Sequence, residues 1–210
     1  MSLGTVIETH TQKVREKGIT FEKFLKKYEG QHCEWVNGRV IQLSPIHDLH
    51  EDICVWLKGI LAAYVRNKRL GRVVGDPYLF KLSHHLPARC PDIAFNRTAT
   101  LSRMSGNFFD GCPDLAIEII SPDSRRRDRV TKLREYEQAG VLEYWIIDPH
   151  NKKIEFYVRN DQGKFERVLV GGNEIYQCTI IEGFWLKPEW FWQNPLPNEY
   201  DVARELGQIP

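Results

Sequence analysis

The chain has 210 residues, 42% hydrophobic and 27% charged, a balance suited to one folded domain with a sizeable core. Its 29 basic and 28 acidic residues nearly cancel, leaving a net charge of +1, so no global basic field argues for nucleic acid and any such argument rests on local clusters. No run approaches the ~18 apolar residues of a membrane span, and the polar opening MSLGTVIETHTQKVREKG lacks a signal-peptide core, so a cytoplasmic protein without membrane contact is expected.

Residues 1–18 read as a mobile arm. Thr20 is placed to cap a short helix through Tyr28, with Phe21, Phe24 and Leu25 on one face. In HCEWVNGRVIQLS, Asn37-Gly38 between two alternating runs predicts a hairpin with a type I′ turn. Ile53, Leu57, Ile60, Leu61 and Tyr64 recur at helical spacing and predict a helix from Asp48 to Lys68, with Gly71 just beyond it. RVVGDPYLFKL and PDIAFN read as strands, and residues 97–110 as a polar loop. The strand DLAIEII follows, then a helix from Ser124 to Ala139 closed by Gly140, then the strand EYWIID, stopped by Pro149. KIEFYV and KFERVLV form a hairpin across RNDQG. The aromatic, proline-rich end carries a short strand near Tyr176 and a helical turn near Pro188. This order predicts a mixed α/β or α+β sandwich with helices against a sheet. The five cysteines, Cys33, Cys54, Cys90, Cys112 and Cys178, form no C-x-x-C pair and read as reduced thiols.

Glu118 interrupts the apolar strand Leu115–Ile120. Alternation places Leu115, Ile117 and Ile119 on one face and Asp114, Ala116, Glu118 and Ile120 on the other. An ionised carboxylate in such a strand needs a cation or strong hydrogen bonds. Asp114 is ~13 Å away along the strand, too far to share an ion with Glu118. Asp92, at the start of another apolar strand, is the better partner, and two carboxylates from adjacent strands suit a hard cation of the magnesium type. A solvent-facing acid on a half-exposed sheet, or a simple ion pair, would give the same pattern.

Downstream, residues 125–134 hold Arg125, Arg126, Arg127, Arg129, Lys132 and Arg134 against one acid, Asp128. Arginines at a helix N-terminus oppose its dipole, a conflict that a phosphate would relieve. A solvated helix end is the plainer account. Val130, Leu133 and Glu137 share one side of this helix, with Lys132 and Tyr136 on an adjacent face from which the lysine can lean toward the sheet.

Together, CPDIAF, PDLAIEIISPDSRRRD and KLREYEQAGVLEYWIIDP, with the earlier CEWVNGRVIQLSPIHDLHEDI, resemble the Uma-type ("Uma two") restriction endonuclease family of the PD-(D/E)XK nuclease superfamily, over roughly residues 19–190. The resemblance implies a restriction-endonuclease-like core, a mixed sheet flanked by helices, with β-hairpins added toward both termini. It implies Asp92 and Glu118 as the metal-binding and catalytic carboxylates, joined by the carbonyl of Ile119. Ile120 stands where the superfamily carries lysine, and Lys132 matches the displaced position of that lysine within the family. Glu34 matches an acid that lines the site, and His50 a histidine at the start of the first core helix.

The expected function is a magnesium-dependent endonuclease, with manganese as a substitute ion, that hydrolyses DNA phosphodiester bonds. Arg125, Arg126, Arg127 and Arg129 would hold the DNA, and no small-molecule cofactor is expected. Should Lys132 point elsewhere, Lys81 and His50 are the remaining candidates for its role. Two alternatives stand beside this reading: a nucleic-acid-binding module with a weak or inactive site, and an interaction protein that dimerises through Trp185, Trp190, Phe191 and Trp192. Those aromatics would equally serve to cover the core. The chain is expected to divide into the arm 1–18, one domain 19–195 and a tail 196–210, with a homodimer as its working form.

Overall fold

The computed structural model describes residues 13–43, 48–121, 124–171 and 174–209. A central six-stranded sheet carries most of the core. Its strand order is β13 (Phe165–Val168), β12 (Lys153–Arg159), β11 (Glu143–Asp148), β10 (Leu115–Ile119), β7 (Ile93–Arg97) and β4 (Gly71–Val74). β10 runs parallel to β11 and antiparallel to β7. The chain returns from β10 to β11 through a six-residue π-helical turn, Arg127–Lys132, that leads into α3 (Leu133–Ala139). Gly140 ends that helix at φ 93°, a conformation costly for any residue with a Cβ.

A seven-stranded sheet lies beside the central one. Its order is β1 (Val14–Lys17), β3 (Arg39–Gln42), β2 (Cys33–Val36), β6 (Ala88–Arg89), β5 (Leu79–Lys81), β9 (Phe108–Asp110) and β8 (Met104–Ser105). The Asn37-Gly38 turn is as expected, with both residues at positive φ (48° and 76°). α1 (Phe21–Tyr28) packs on this sheet, capped by the Thr20 hydroxyl, which accepts from Lys23 N at 3.3 Å. A two-stranded ribbon, β14 (Tyr176–Gln177) with β15 (Trp185–Leu186), lies near the C-terminus.

α2 (Asp48–Lys68) has the bounds that its periodicity predicts and buries Ile53, Leu57, Ile60, Leu61 and Tyr64. It covers one face of the central sheet, where Leu115, Ile117 and Ile119 meet Ile93, Phe95 and Trp145. Trp190 and Phe191 are buried in the same layer, with Trp185 and Trp192 packed against it, so these aromatics cover the core. The opposite face holds Ala94, Ala116, Ile120 and Tyr144 against Tyr136 of α3 and Phe80 and Phe109 of the second sheet. Alternation along β10 thus divides its side chains as the sequence predicts. On β11, the wholly buried Glu143 accepts from Trp145 Nε1 (2.6 Å), Tyr176 Oη (2.6 Å) and the Thr179 amide (2.9 Å), which fastens the C-terminal segment to the sheet.

Several expectations need correction. Val14–Lys17, placed in a mobile arm, pairs with β3, whose alternating edge had no other partner on that side; residues 1–12 lie outside the described residues. RVVGDPYLFKL is not one strand: Arg72–Val74 joins the central sheet and Leu79–Lys81 the other, with the crossing at Gly75-Asp76-Pro77. The polar loop 97–110 holds a 3-10 helix (Thr98–Arg103) and the short strands β8 and β9. The tail 196–210 contains α4 (Glu199–Glu205), which Asn198 caps and which buries Val202 in the layer under α2. No described helix is long and apolar enough to cross a membrane, and all five cysteines are free thiols.

Candidate active site

Asp92 precedes β7 directly, and Glu118 is the penultimate residue of β10. β7 and β10 pair Leu115 with Phe95 and Ile117 with Ile93; carried one residue further, the register sets Glu118 against Asp92. Both acids therefore come to one end of the central sheet on neighbouring strands. The Ile119 amide donates to Asp92 Oδ2 at 2.7 Å, which fixes the aspartate at the end of the ladder. Gly75 permits the close crossing behind it, since a Cβ there would meet the Asp92 carbonyl oxygen at 2.2 Å. His50, from the first turn of α2, brings Nε2 to 3.2 Å from Asp92 Oδ2. Burial alone would raise the Asp92 pKa, but His50, Lys132 and the Ile119 amide outweigh it and hold the carboxyl below its ordinary value. Burial likewise opposes the His50 cation, and the hydrogen bond to Asp92 reverses that and raises its pKa.

Glu118 faces α3 rather than solvent. Lys132 Nζ donates to Glu118 Oε2 at 2.7 Å, and Tyr136 Oη donates to Oε1 at 2.8 Å. Lys132 also lies 3.4 Å from Asp128 and 3.8 Å from Glu34. Asp128, Lys132 and Tyr136 thus form the inward row of this helix, while Val130 is 42% exposed. A π-turn advances by about 4.4 residues rather than 3.6, which keeps residues four apart on nearly the same side. Burial pushes the Glu118 carboxyl up to about 8, with Asp92 and Asp128 adding to the rise and Lys132 opposing it. Lys132 is held as a cation, because Glu118, Asp128 and Glu34 overcome the burial that would neutralise it.

Glu34 sits one layer behind these groups. It is wholly buried and accepts from Arg89 Nη1 at 2.6 Å and from the Cys90 amide at 3.3 Å. Burial would raise its pKa, yet Arg89, Lys132 and Arg127 together lower it to about 2. Arg89 also forks onto Glu135 of α3, at 2.7 and 2.9 Å.

The four arginines do not act as one patch. Arg129 is occupied within the protein, donating to Glu155 at 2.7 Å and to Asp148 at 3.0 Å. Arg127 lies against Asp128 at 3.5 Å and Arg125 is 3.9 Å from Asp148, whereas Arg126 is exposed. Two buried acids thus already use the Arg129 fork. Lys81 is elsewhere, 4.4 Å over the Trp35 ring and donating to the Leu86 carbonyl at 2.8 Å. Asp114 orders its strand entrance, accepting from the Arg97 amide at 2.8 Å, Arg97 Nε at 2.9 Å and Thr100 Oγ1 at 2.9 Å.

The donor set fits a hard divalent cation. Asp92 and Glu118 offer only oxygen: Asp92 Oδ2 is taken by the Ile119 amide and His50, which leaves Oδ1 for an ion, and each Glu118 oxygen keeps a second lone pair beside its contact with Lys132 or Tyr136. The high pKa of Glu118 comes first from burial and then from the nearby Asp92 and Asp128, and a cation would take the place of that proton. Among the described residues, no three His, Cys, Asp or Glu side chains gather as a ready cage. Sequence reasoning did not find Arg89, which lies in a two-residue strand without periodicity. Tyr136 did carry a signal, its spacing of four from Lys132.

The model of the Uma2 family, described as "Putative restriction endonuclease", matches residues 20–189. The fold is similar to the crystal structure of a putative nuclease belonging to DUF820 from Anabaena variabilis ATCC 29413, with a TM-score of 0.70 and 20% identity over 83% of this chain and 97% of that one. No curated protein matches the chain.

Proposed function

The chain belongs to the Uma2 family, and from that premise we propose that Asp92, Glu118 and Lys132 form the hydrolytic centre of a magnesium-dependent endodeoxyribonuclease. The observation that carries this reading is the 2.7 Å contact between Lys132 and Glu118, which supports a lysine acting from the helix although Ile120 stands in its usual strand position.

Asp92 and Glu118, with the Ile119 carbonyl, would hold magnesium; manganese suits the same oxygens. When bound, the ion supplies Lewis acidity at a phosphate oxygen and lowers the pKa of water. Lys132 offers its ammonium to the charge that grows on the phosphate and on the attacking water. His50 and the Ile119 amide hold Asp92 in place, and Tyr136 does the same for Glu118. In-line attack would leave a 5′-phosphate and a 3′-hydroxyl, as the superfamily resemblance implies. One centre hydrolyses one strand, so a homodimer is the form suited to cutting a duplex; sedimentation velocity checks it.

A second reading is favoured by one observation: Lys132 is already committed to three acids. On that reading the protein binds nucleic acid with little turnover. Supercoiled plasmid decides between them. Nicking that needs magnesium and disappears in Glu118→Gln supports the nuclease, whereas retained DNA binding without nicking under magnesium or manganese supports the binding module.

A further inference from the structure

Lys132 faces three carboxylates in a dry interior, and the contact to Glu118 is the shortest, at 2.7 Å against 3.4 Å to Asp128 and 3.8 Å to Glu34. An unpaired carboxylate at such a depth would compete strongly for the Lys132 ammonium, since charge interactions strengthen where water is excluded. Glu34 does not compete, because Arg89 occupies its other oxygen at 2.6 Å. Arg89 is itself 2% exposed and is held by the fork onto Glu135, three residues beyond Lys132 on the same helix. Three residues after Arg89 the chain reaches Asp92, and the Cys90 amide between them donates to Glu34. Arg89 and Glu135 therefore join the segment that leads into Asp92 to the helix that delivers Lys132. The arrangement Glu135–Arg89–Glu34 is built from contacts that leave Lys132 free to meet Glu118.

We propose that Arg89 is a positioning residue: by neutralising Glu34 it keeps the Lys132 ammonium turned toward Glu118. The proposal rests on reading Asp92, Glu118 and Lys132 as the hydrolytic centre. Its distinguishing feature is that it depends on charge at Glu34 rather than on the volume of Arg89. Removing Arg89 alone releases Glu34 to draw the lysine away. Removing the Glu34 charge as well takes away the competitor, and the lysine returns.

The test uses metal-free protein carrying isotope-labelled lysine, with the Lys132 Nζ resonance assigned through its loss in Lys132→Arg. In Arg89→Met the resonance is expected to move, and in Glu34→Gln/Arg89→Met to return to the parent position. Should Arg89→Met fail to fold, Arg89→Lys, which keeps the charge and loses the fork, is expected to give a smaller displacement in the same direction. A parent-like resonance in folded Arg89→Met, or a double variant displaced as far as the single one, overturns the proposal. On plasmid substrate, kcat is expected to fall about tenfold or more in Arg89→Met with KM nearly constant, and to recover in the double variant. Equal loss in both variants would make Arg89 structural only and overturn the proposal. Absence of Glu118-dependent cleavage by the parent defeats the nuclease reading instead, while the resonance still decides the position of the lysine.

Discussion

Lys132 and Glu118, fourteen residues apart in sequence, meet at 2.7 Å between helix and strand, and neither is more than 3% exposed at its side chain. Breaking such a pair from one side leaves a buried charge behind. Lys132→Ala is therefore expected to cost about 3–5 kcal/mol of stability as well as cleavage, while metal binding is nearly kept. Denaturant unfolding, metal titration calorimetry and plasmid nicking on the same preparations check the three parts. Lys132→Arg is expected to be a weak substitute, because a planar fork does not reproduce a compact ammonium.

Glu118→Gln is expected to abolish metal-dependent cleavage and to remove a pH-dependent part of the stability of the metal-free protein. The Glu118 carboxyl, raised by burial to about 8, holds its proton in the folded state from the ordinary carboxylate range up to that pH. Its contribution to stability therefore declines as pH rises above about 4.5 and is at its most unfavourable above about 8. The glutamine variant lacks this decline, and each kcal/mol relieved appears as about 2–4 °C in Tm for a chain of this size. A thermal scan at pH 9 in chelator checks it.

Magnesium should compete with the proton on Glu118. Below about pH 8 binding must displace that proton, so affinity is expected to rise with pH and to level off above that value. Calorimetry in buffers of different ionisation enthalpy checks it, with proton release at pH 6.5 and almost none at pH 9, about one and a half pH units below and one above the transition.

Glu34 carries the opposite sign. Arg89, Lys132 and Arg127 overcome its burial and hold its pKa at about 2, below its ordinary 4.5. Its stabilising contribution is complete above about 4.5 and is lost as pH falls toward 2. Glu34→Gln is expected to flatten this acid limb of the stability curve, measured by urea unfolding between about pH 5 and about pH 2, from above the ordinary pKa down to the folded one.

The arginines should separate into two kinds. Arg126→Ala is expected to lower the log–log salt slope of DNA binding by about 0.9, the value for one phosphate contact. Arg129→Ala, which strips Asp148 and Glu155 of their partner, is expected to lose stability more than affinity. Filter binding over a salt series, beside thermal melts, checks both.

What the sequence made legible was local. The spacing of Ile53, Leu57 and Leu61 set α2, the Asn37-Gly38 pair set its hairpin, and alternation around Glu118 set the faces of β10. What escaped was set by contacts distant in sequence. RVVGDPYLFKL reads as strand on either side of Gly75-Asp76-Pro77, and only the partners of its two halves assign them to different sheets. Arg89 belongs to a strand too short for any period, and its role depends on Glu34 and Glu135, 55 and 46 residues away. α4 did leave a signal, with Asn198 before it and Gly207 after it, but two turns among prolines gave little periodicity to read. The basic run 125–134 was visible as charge, whereas the acids that occupy Arg129 lie on β11 and β12.

Glu143 is stabilised by neutral donors, and Tyr176 and Thr179 stand 33 and 36 residues downstream of it. A nascent chain that has reached β12 already contains every strand needed to flank β11, yet it still lacks these donors. Glu143 would then be a carboxylate in an apolar layer with Trp145 as its donor and without the Tyr176 and Thr179 groups that complete its shell, an unfavourable state. The seating of Glu143 is therefore complete only once Tyr176 and Thr179 have left the ribosome, so β11 is secured later than its neighbouring strands alone would allow.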